Sequence, residues 1–269
     1  MKDFRQLLRS QFYSLAREGR LLVGILLLLT VFGYVGSLMG VGESLFESEN
    51  FFGLTPNASM IFGINAGDNS DLALFFVFIS VGLFASRDLN DRTVNYEIMN
   101  GHDRRHVFLS RALAAILLGA GGGLLMFAAI PLVTTAVYGW GGSIPLGTAA
   151  VRILLVLLLF IRISAELVLA SMLLRRTYLV YIAGACAYIF ESIAFEEGKG
   201  SPYVLSCSAG GAIMHFNTFS LEHIDKSSEL FFDSTLTLGT AAAIAISYIL
   251  VTAGCIYFGC RLFCRADID

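Results

Sequence analysis

Two charged side chains, Arg162 and Glu166, lie within one of the most apolar stretches of the chain. They are four residues apart, so on a helix they share a face and can form an ion pair. A charged side chain that faces lipid at the centre of a membrane helix raises the free energy of insertion by around 2.5–3.5 kcal/mol. We therefore expect both to face protein or a wet cavity, either as a polar patch on a path through the molecule or as a buried pair that locks the helix to its neighbours.

The histidines and glycines that resemble catalytic patterns lack the residues that those patterns need. His102 and His106 enclose Asp-Arg-Arg, which is not the H-E-x-x-H of a zinc protease, and a third ligand is missing. The run 119–123 contains no lysine, so this chain cannot cradle ATP phosphates by itself. We expect no catalytic residue, no metal site and no cofactor bound by this chain. Gly119 and Gly123 instead have the spacing that lets helix backbones approach closely.

The composition indicates an all-α polytopic membrane protein. The chain of 269 residues is 56% hydrophobic and 14% charged, with a mean hydropathy of +0.73. A soluble globular domain is roughly half apolar and about a quarter charged. The net charge is only -3, so nothing suggests a nucleic-acid partner, and we expect membrane lipid around a single transmembrane domain over residues 1–269.

Six stretches are candidates for crossing the membrane, which takes on the order of 20 apolar residues. They are 21–40, 70–85, 107–138, 148–174, 177–195 and 236–263. The second is the weakest, because acidic residues crowd its outer end. Residues 196–235 then form an extracytoplasmic segment between the last two spans.

The distribution of lysine and arginine predicts that both chain ends are cytoplasmic, because cytoplasmic loops collect basic residues. With the N-terminus inside, only Lys199 and Lys226 of the 18 basic residues fall in outer segments, while Arg152 and Arg162 lie within the fourth span. Residues 1–20 combine apolar side chains at helical spacing with Arg5 and Arg9 on another face. This pattern is typical of an amphipathic helix that lies in the membrane interface.

The first cytoplasmic loop, over residues 86–106, is unusually charged. The stretch "SRDLNDRTVNYEIMNGHDRRHVFLSR" carries nine charged side chains in 26 positions. Asn100-Gly101 is a strong stop and turn signal, so we predict a short helix, a tight turn and a new helix. The mixture of apolar residues with a charged rim suits a protein partner; the alternative is a solvated loop that only marks the inner side.

These features resemble the permease subunits of type-2 ATP-binding-cassette exporters. The resemblance consists of the amphipathic start "KDFRQLLRSQFYSLAREGRL", six spans with both ends inside and the charged loop ending in "FLSR". It implies that the loop is a coupling helix that docks on a separate ATPase subunit, which binds ATP and Mg. The residues expected to dock are Arg92, Thr93, Val94, Glu97, Ile98, Gly101, Arg104 and Arg105.

The resemblance also implies a second permease chain, either identical or related, and a location in the bacterial plasma membrane. A substrate path is expected along the aromatic faces of the second and fifth spans and the charged pair of the fourth. Its candidate residues are Phe75, Phe78, Phe84, Arg162, Glu166, Tyr181 and Tyr188.

The expected function is the export of an amphipathic or hydrophobic substrate, preferably a peptide such as an antimicrobial peptide. Two alternatives stay open: a secondary transporter or channel that needs no ATPase, and a non-transporting immunity protein that binds a peptide.

Overall fold

The computed structural model describes residues 2–47, 58–90, 93–141, 144–174, 176–197 and 236–265. In these residues the chain is all-α, as predicted, with no strand. The helices are α1 (Lys2–Glu47), α2 (Ala58–Asn90), α3 (Thr93–Met99), α4 (Arg104–Tyr138), α5 (Leu146–Leu174), α6 (Thr177–Glu197) and α7 (Leu238–Arg265). Nearly all of the predicted extracytoplasmic segment lies outside the described residues.

Four stretches of these helices are long and apolar enough to cross a membrane, so the chain is a membrane-embedded helical protein. They are Asn69–Ser86 of α2, together with Arg104–Tyr138, Leu146–Leu174 and Leu238–Arg265. These stretches coincide with the second, third, fourth and sixth predicted spans. In the first and fifth predicted spans, the described residues contain the shorter apolar stretches Leu22–Val31 and Thr177–Phe190.

α1 is a single helix of 46 residues, which corresponds to a length of about 69 Å. We predicted an interfacial helix over 1–20 followed by a span over 21–40, but no helix end separates the two. Leu7 and Gln11 in its first turns are each only 4% exposed. Part of the face that we assigned to the membrane interface therefore packs on the protein instead.

α2, α4 and α5 form the centre of the bundle. α1 packs along α2 and α4, α6 along α2 and α5, and α7 along α5 and α4. Phe76, Phe127 and Phe160, one from each central helix, are at most 2% exposed. Because lipid is as apolar as these side chains, close van der Waals packing holds the helices together rather than removal from water.

Two glycines of α4 make this close packing possible. An added Cβ at Gly123 would lie 2.8 Å from both Phe160 Cδ2 and Val77 Cγ2, and one at Gly119 would collide with Ser164 and Val81. Both glycines therefore admit side chains of α2 and α5 against the backbone of α4. The predicted close approach is confirmed, and it occurs within one chain.

One end of the bundle, which we call the α3 end, carries α3, the first turns of α1 and the last turn of α7. The rings of Phe4 and His106 lie 6.3 Å apart, which places the start of α1 beside the start of α4. Arg104 Nη1 donates to the carbonyl of Cys264 at 3.4 Å, which places the end of α7 there too. Helices distant in sequence therefore meet around α3.

The opposite end is closed by the segment that follows α4. The N–H of Ala58 donates to the Gly139 carbonyl at 3.0 Å, and the N–H of Ser59 donates to the Trp140 carbonyl at 2.8 Å. These bonds satisfy two of the amides that a helix leaves unpaired at its start. They fix α2 antiparallel to α4, so that both helices meet α3 at their other ends.

Candidate functional site

α3 is a seven-residue helix that ends in a tight turn before α4. The N–H of Asn100 donates to the Tyr96 carbonyl, and the N–H of Gly101 donates to the Ile98 carbonyl, each at 3.0 Å. Gly101 has a φ of +86°, a left-handed conformation that glycine adopts without strain. The predicted order of short helix, turn and new helix is confirmed.

Glu97 fastens α3 to two other helices. Its Oε1 accepts a hydrogen bond from Gln11 Nε2 of α1 at 3.2 Å. Its Oε2 accepts from Arg111 Nε of α4 at 3.3 Å and lies 3.1 Å from Arg111 Nη2. Gln11 is 4% exposed and Arg111 is 8% exposed, so solvent screens these contacts little. We call these three residues the Glu97 node.

The contacts of α3 with the rest of the protein change the docking surface that we predicted. Val94 is 2% exposed and belongs to the hydrophobic core, and Ile98 packs against the same core. The prediction that Val94 faces a partner is therefore wrong; for Glu97 and Ile98, which are half-buried, the docking role stays a prediction. A helix of only seven residues needs an inward face to hold its position, and these residues supply it.

The outward face of α3 is formed by other residues. Tyr96 is 69% exposed and Met99 is 81% exposed. Gly101 and Arg105 are exposed beside them, and Arg104 is half-buried. An apolar patch with a charged rim is the usual character of a protein contact surface. We call Tyr96 and Met99 of α3, together with the neighbouring Arg105 of α4, the α3 outer face. Arg92 and the side chain of Thr93 lie outside the described residues.

Replacing Glu97 with alanine is expected to release α3 from α1 and α4. The substitution leaves the buried Arg111 guanidinium without this carboxylate, at a cost of about 2 kcal/mol in the free energy of unfolding. Thermal unfolding of the purified protein in detergent measures the loss. Glu97→Gln, which keeps the shape of the side chain, is expected to cost less, and exchanging the charges in an E97R/R111E variant is expected to restore part of the stability. Wild-type stability in Glu97→Ala would contradict the role of the node.

The second polar feature lies inside the bundle. Arg162 Nε donates to Glu166 Oε1 at 2.7 Å, which confirms the predicted pair. The Arg162 side chain is 6% exposed and the Glu166 side chain is 28% exposed. Arg162 Cζ also lies 5.0 Å from the ring centroid of Tyr248, a cation–π contact with α7. Arg162 thus fastens α5 to α7, while the Glu166 side chain is the more exposed partner of the pair.

Glu166 borders a cavity of about 230 Å³ between α2, α5 and α6. Phe78 of α2 and Tyr188 of α6 line the same cavity, and their rings pack edge to face with centroids 6.2 Å apart. Tyr188 Oη also donates to Asp71 Oδ1 of α2. The fold therefore brings three of the predicted path residues, from three helices, to one place.

The remaining aromatic path residues lie elsewhere. Tyr181 Oη donates to the Ile79 carbonyl at 3.0 Å and so fastens α6 to α2. Phe84 is half-buried against the core, whereas Phe75 is 65% exposed. Phe84 follows Phe78 by six residues, a rotation of about 120° around the helix. Phe75, Phe84 and Tyr181 are therefore absent from the lining of this cavity, and their place on a substrate path stays a prediction.

The described ranges contain no group of three His, Cys, Asp or Glu side chains arranged to hold a metal ion. His106 Nδ1 lies 3.5 Å from Asp103 Oδ2 at the start of α4. Both side chains are about half exposed, at 47% and 58%, so this contact is a solvated surface pair of small energetic weight.

Comparison with protein-family models and with curated proteins gave no match. No protein-family model matches the chain, and no curated protein is similar to it. Its function is therefore inferred from the residues and their geometry.

Proposed function

We propose that this chain is the permease subunit of a type-2 ATP-binding-cassette exporter and that α3 is its coupling helix. The observation that carries this proposal is the two-sided character of α3. Outward it exposes Tyr96 and Met99, while inward Glu97 is held by α1 and α4. A surface loop that only joined two spans would need neither feature.

The Glu97 node supplies the mechanical link. Each carboxylate oxygen is held by a different helix, Oε1 by Gln11 and Oε2 by Arg111. A partner that displaces the α3 outer face therefore moves α1 and α4 together rather than bending a loose loop. Because α4 packs against both α2 and α5, the movement reaches the helices that border the cavity.

The proposed topology has six spans, with the α3 end in the cytoplasm. Arginines gather at this end: Arg5 and Arg9 in the first turns of α1, Arg105 at the start of α4 and Arg261 near the end of α7. Arg176 lies in the turn between α5 and α6, where a hydrogen bond from its Nη1 to Tyr178 Oη raises the pKa of the guanidinium. A basic end of this kind stays on the cytoplasmic side.

The complete exporter then contains two permease chains and an ATPase that binds ATP and Mg. It works in a plasma membrane, which we propose to be bacterial. The cavity between α2, α5 and α6 is mostly apolar with one carboxylate, which suits an amphipathic substrate. A peptide is the preferred cargo, because peptides combine apolar and charged side chains along one chain.

Purification of the tagged chain from its own host in mild detergent tests this proposal. We expect it to bring down an ATPase of roughly 25–35 kDa, about the size of one nucleotide-binding domain with a small addition. Replacing the lysine of that ATPase's phosphate-binding loop is expected to stop export while the two proteins still co-purify. Full transport by the purified chain in vesicles without nucleotide would contradict the proposal.

A second candidate function is a secondary transporter that needs no ATPase, and Glu166 is the observation that favours it. Partly exposed carboxylates inside a membrane protein often relay protons or bind coupling ions. Transport into vesicles driven by a pH gradient alone would identify this function. Such a transporter has no use for the α3 outer face, so substitutions there would leave transport unchanged.

A further inference from the structure

The cavity between α2, α5 and α6 has a mostly apolar lining, but one charged residue in it gives a preference for the charge of a bound group. Of the lining residues that the structure describes, Glu166 is the only charged one. Its partner Arg162 is absent from the lining and is 6% exposed. Arg162 lies over the ring of Tyr248 from α7, which also does not line the cavity.

The ion pair is therefore oriented across α5. Glu166 lines the cavity with its side chain 28% exposed, whereas the guanidinium of Arg162 is buried against Tyr248 of α7. A ligand group in the cavity approaches the carboxylate more closely than the guanidinium, so the local potential is negative even though the pair has no net charge. This favours a cation or strong hydrogen-bond donor and disfavours an anion.

The volume and the lining of the cavity determine the size and polarity of the rest of the ligand. A volume of about 230 Å³ is below the roughly 300–1,000 Å³ of pockets that enclose a whole drug-sized ligand. Phe78, Ile163, Leu167 and Ala187 provide apolar or aromatic walls. The cavity therefore accommodates an ammonium group with a short hydrocarbon chain, but not a whole folded peptide.

The geometry points to a binding site for a primary alkylammonium group, with Glu166 as the acceptor and the apolar walls around the attached carbons. This inference rests on the proposed function: it names a cationic amphiphile as the class of substrate that the permease takes from the membrane. The part of the amphiphile beyond the cavity stays in the surrounding lipid.

The test uses the purified chain alone in phosphatidylcholine nanodiscs, without an ATPase. Octylamine, octanol and octanoate have the same chain length and differ in head group. Octylamine in its ammonium form is expected to raise the melting temperature by a few degrees at concentrations where octanol and octanoate do not. Equal shifts with octylamine and octanol would overturn the inference, because both would then report partition into lipid.

Two variants of α6 test whether octylamine binds in this cavity. Ala187→Phe fills the cavity and is expected to weaken the octylamine effect about tenfold in half-maximal concentration, the equivalent of losing one charge-assisted hydrogen bond. Ala185→Phe is the matched control on an exposed face of α6 outside the lining, and it is expected to change nothing. An octylamine effect that survives Ala187→Phe would overturn the site.

Glu166→Gln is expected to abolish the preference for octylamine over octanol. Because this change leaves Arg162 without its carboxylate, an R162Q/E166Q variant without either charge keeps the test valid if the single variant fails to fold. Persistence of the ammonium preference in the double variant would overturn the role of Glu166. Each of these failures would leave the ATPase requirement of the proposed exporter standing, since no ATPase takes part in the measurement.

Discussion

Replacing Tyr96 and Met99 with glutamate is expected to abolish ATP-driven export while the membrane bundle stays folded. The two residues are 69% and 81% exposed, so the substitutions remove little internal packing. At the centre of a protein contact, a large apolar side chain contributes about 2 kcal/mol or more, so losing it weakens binding by roughly 30-fold. The measurements are co-purification of the ATPase and substrate uptake into inverted vesicles.

Tyr13 provides the matched control for this variant. It is a tyrosine near the start of α1 that is 76% exposed, so it shares residue type and exposure with Tyr96 but lies outside α3. Tyr13→Glu is expected to retain most of the transport. If it is as damaging as the α3 variant, or if the α3 variant transports normally, then α3 is not the docking element.

The two arginines of the charged rim, Arg104 and Arg105, differ in their contacts with the bundle. Arg104 and Arg105 are equivalent in the sequence, but Arg104 also donates to the Cys264 carbonyl of α7. A change at Arg104 therefore disturbs helix packing as well as docking. Arg105 is exposed, so its replacement by glutamate disturbs helix packing less and is the better test of the proposed partner contact.

Replacing Gly123 with leucine is expected to prevent the bundle from packing. A Cβ there already lies 2.8 Å from Phe160 and Val77, and the remaining three carbons have to force α2 or α5 away from α4. Overpacking of this kind costs about 3 kcal/mol or more in the free energy of unfolding. Size-exclusion profiles and thermal unfolding in detergent are expected to show aggregation or a large loss of stability.

Gly121 is the control for that variant, because it belongs to the same glycine run and nothing lies within 4 Å of a Cβ placed there. Gly121→Leu is expected to fold and to unfold at nearly the wild-type temperature. Equal damage from both substitutions would mean that leucine disturbs α4 itself and not its packing against α2 and α5.

Much of the local structure was accessible from the sequence. The turn at Asn100-Gly101, the pairing of Arg162 with Glu166 and the close approach at Gly119 and Gly123 all depend on residues within a few positions of one another. Hydropathy located the four long apolar helices for the same reason. Each is a property of one helix or one turn, which a short stretch of chain specifies before any helix meets another.

The contacts of the Glu97 node were not accessible in this way. Gln11 and Glu97 are 86 positions apart, and no spacing rule connects them. The only signals were a glutamine among the apolar residues of α1 and an arginine at the start of the apolar part of α4. Neither residue type indicates that Glu97 is the residue it contacts.

The sequence by itself determined that this is a helical membrane protein with a charged helix and turn between two apolar helices. Only the tertiary structure decided that Val94 and Glu97 face inward, that Tyr96 and Met99 face outward, and that Glu166 shares a cavity with Phe78 and Tyr188. In α3 the reason is that apolar side chains occur on both faces, so hydropathy does not distinguish them; in the apolar helices it is that lipid and protein interior are equally apolar. Polarity therefore does not mark which face of a membrane helix is buried, and helix packing alone makes that choice.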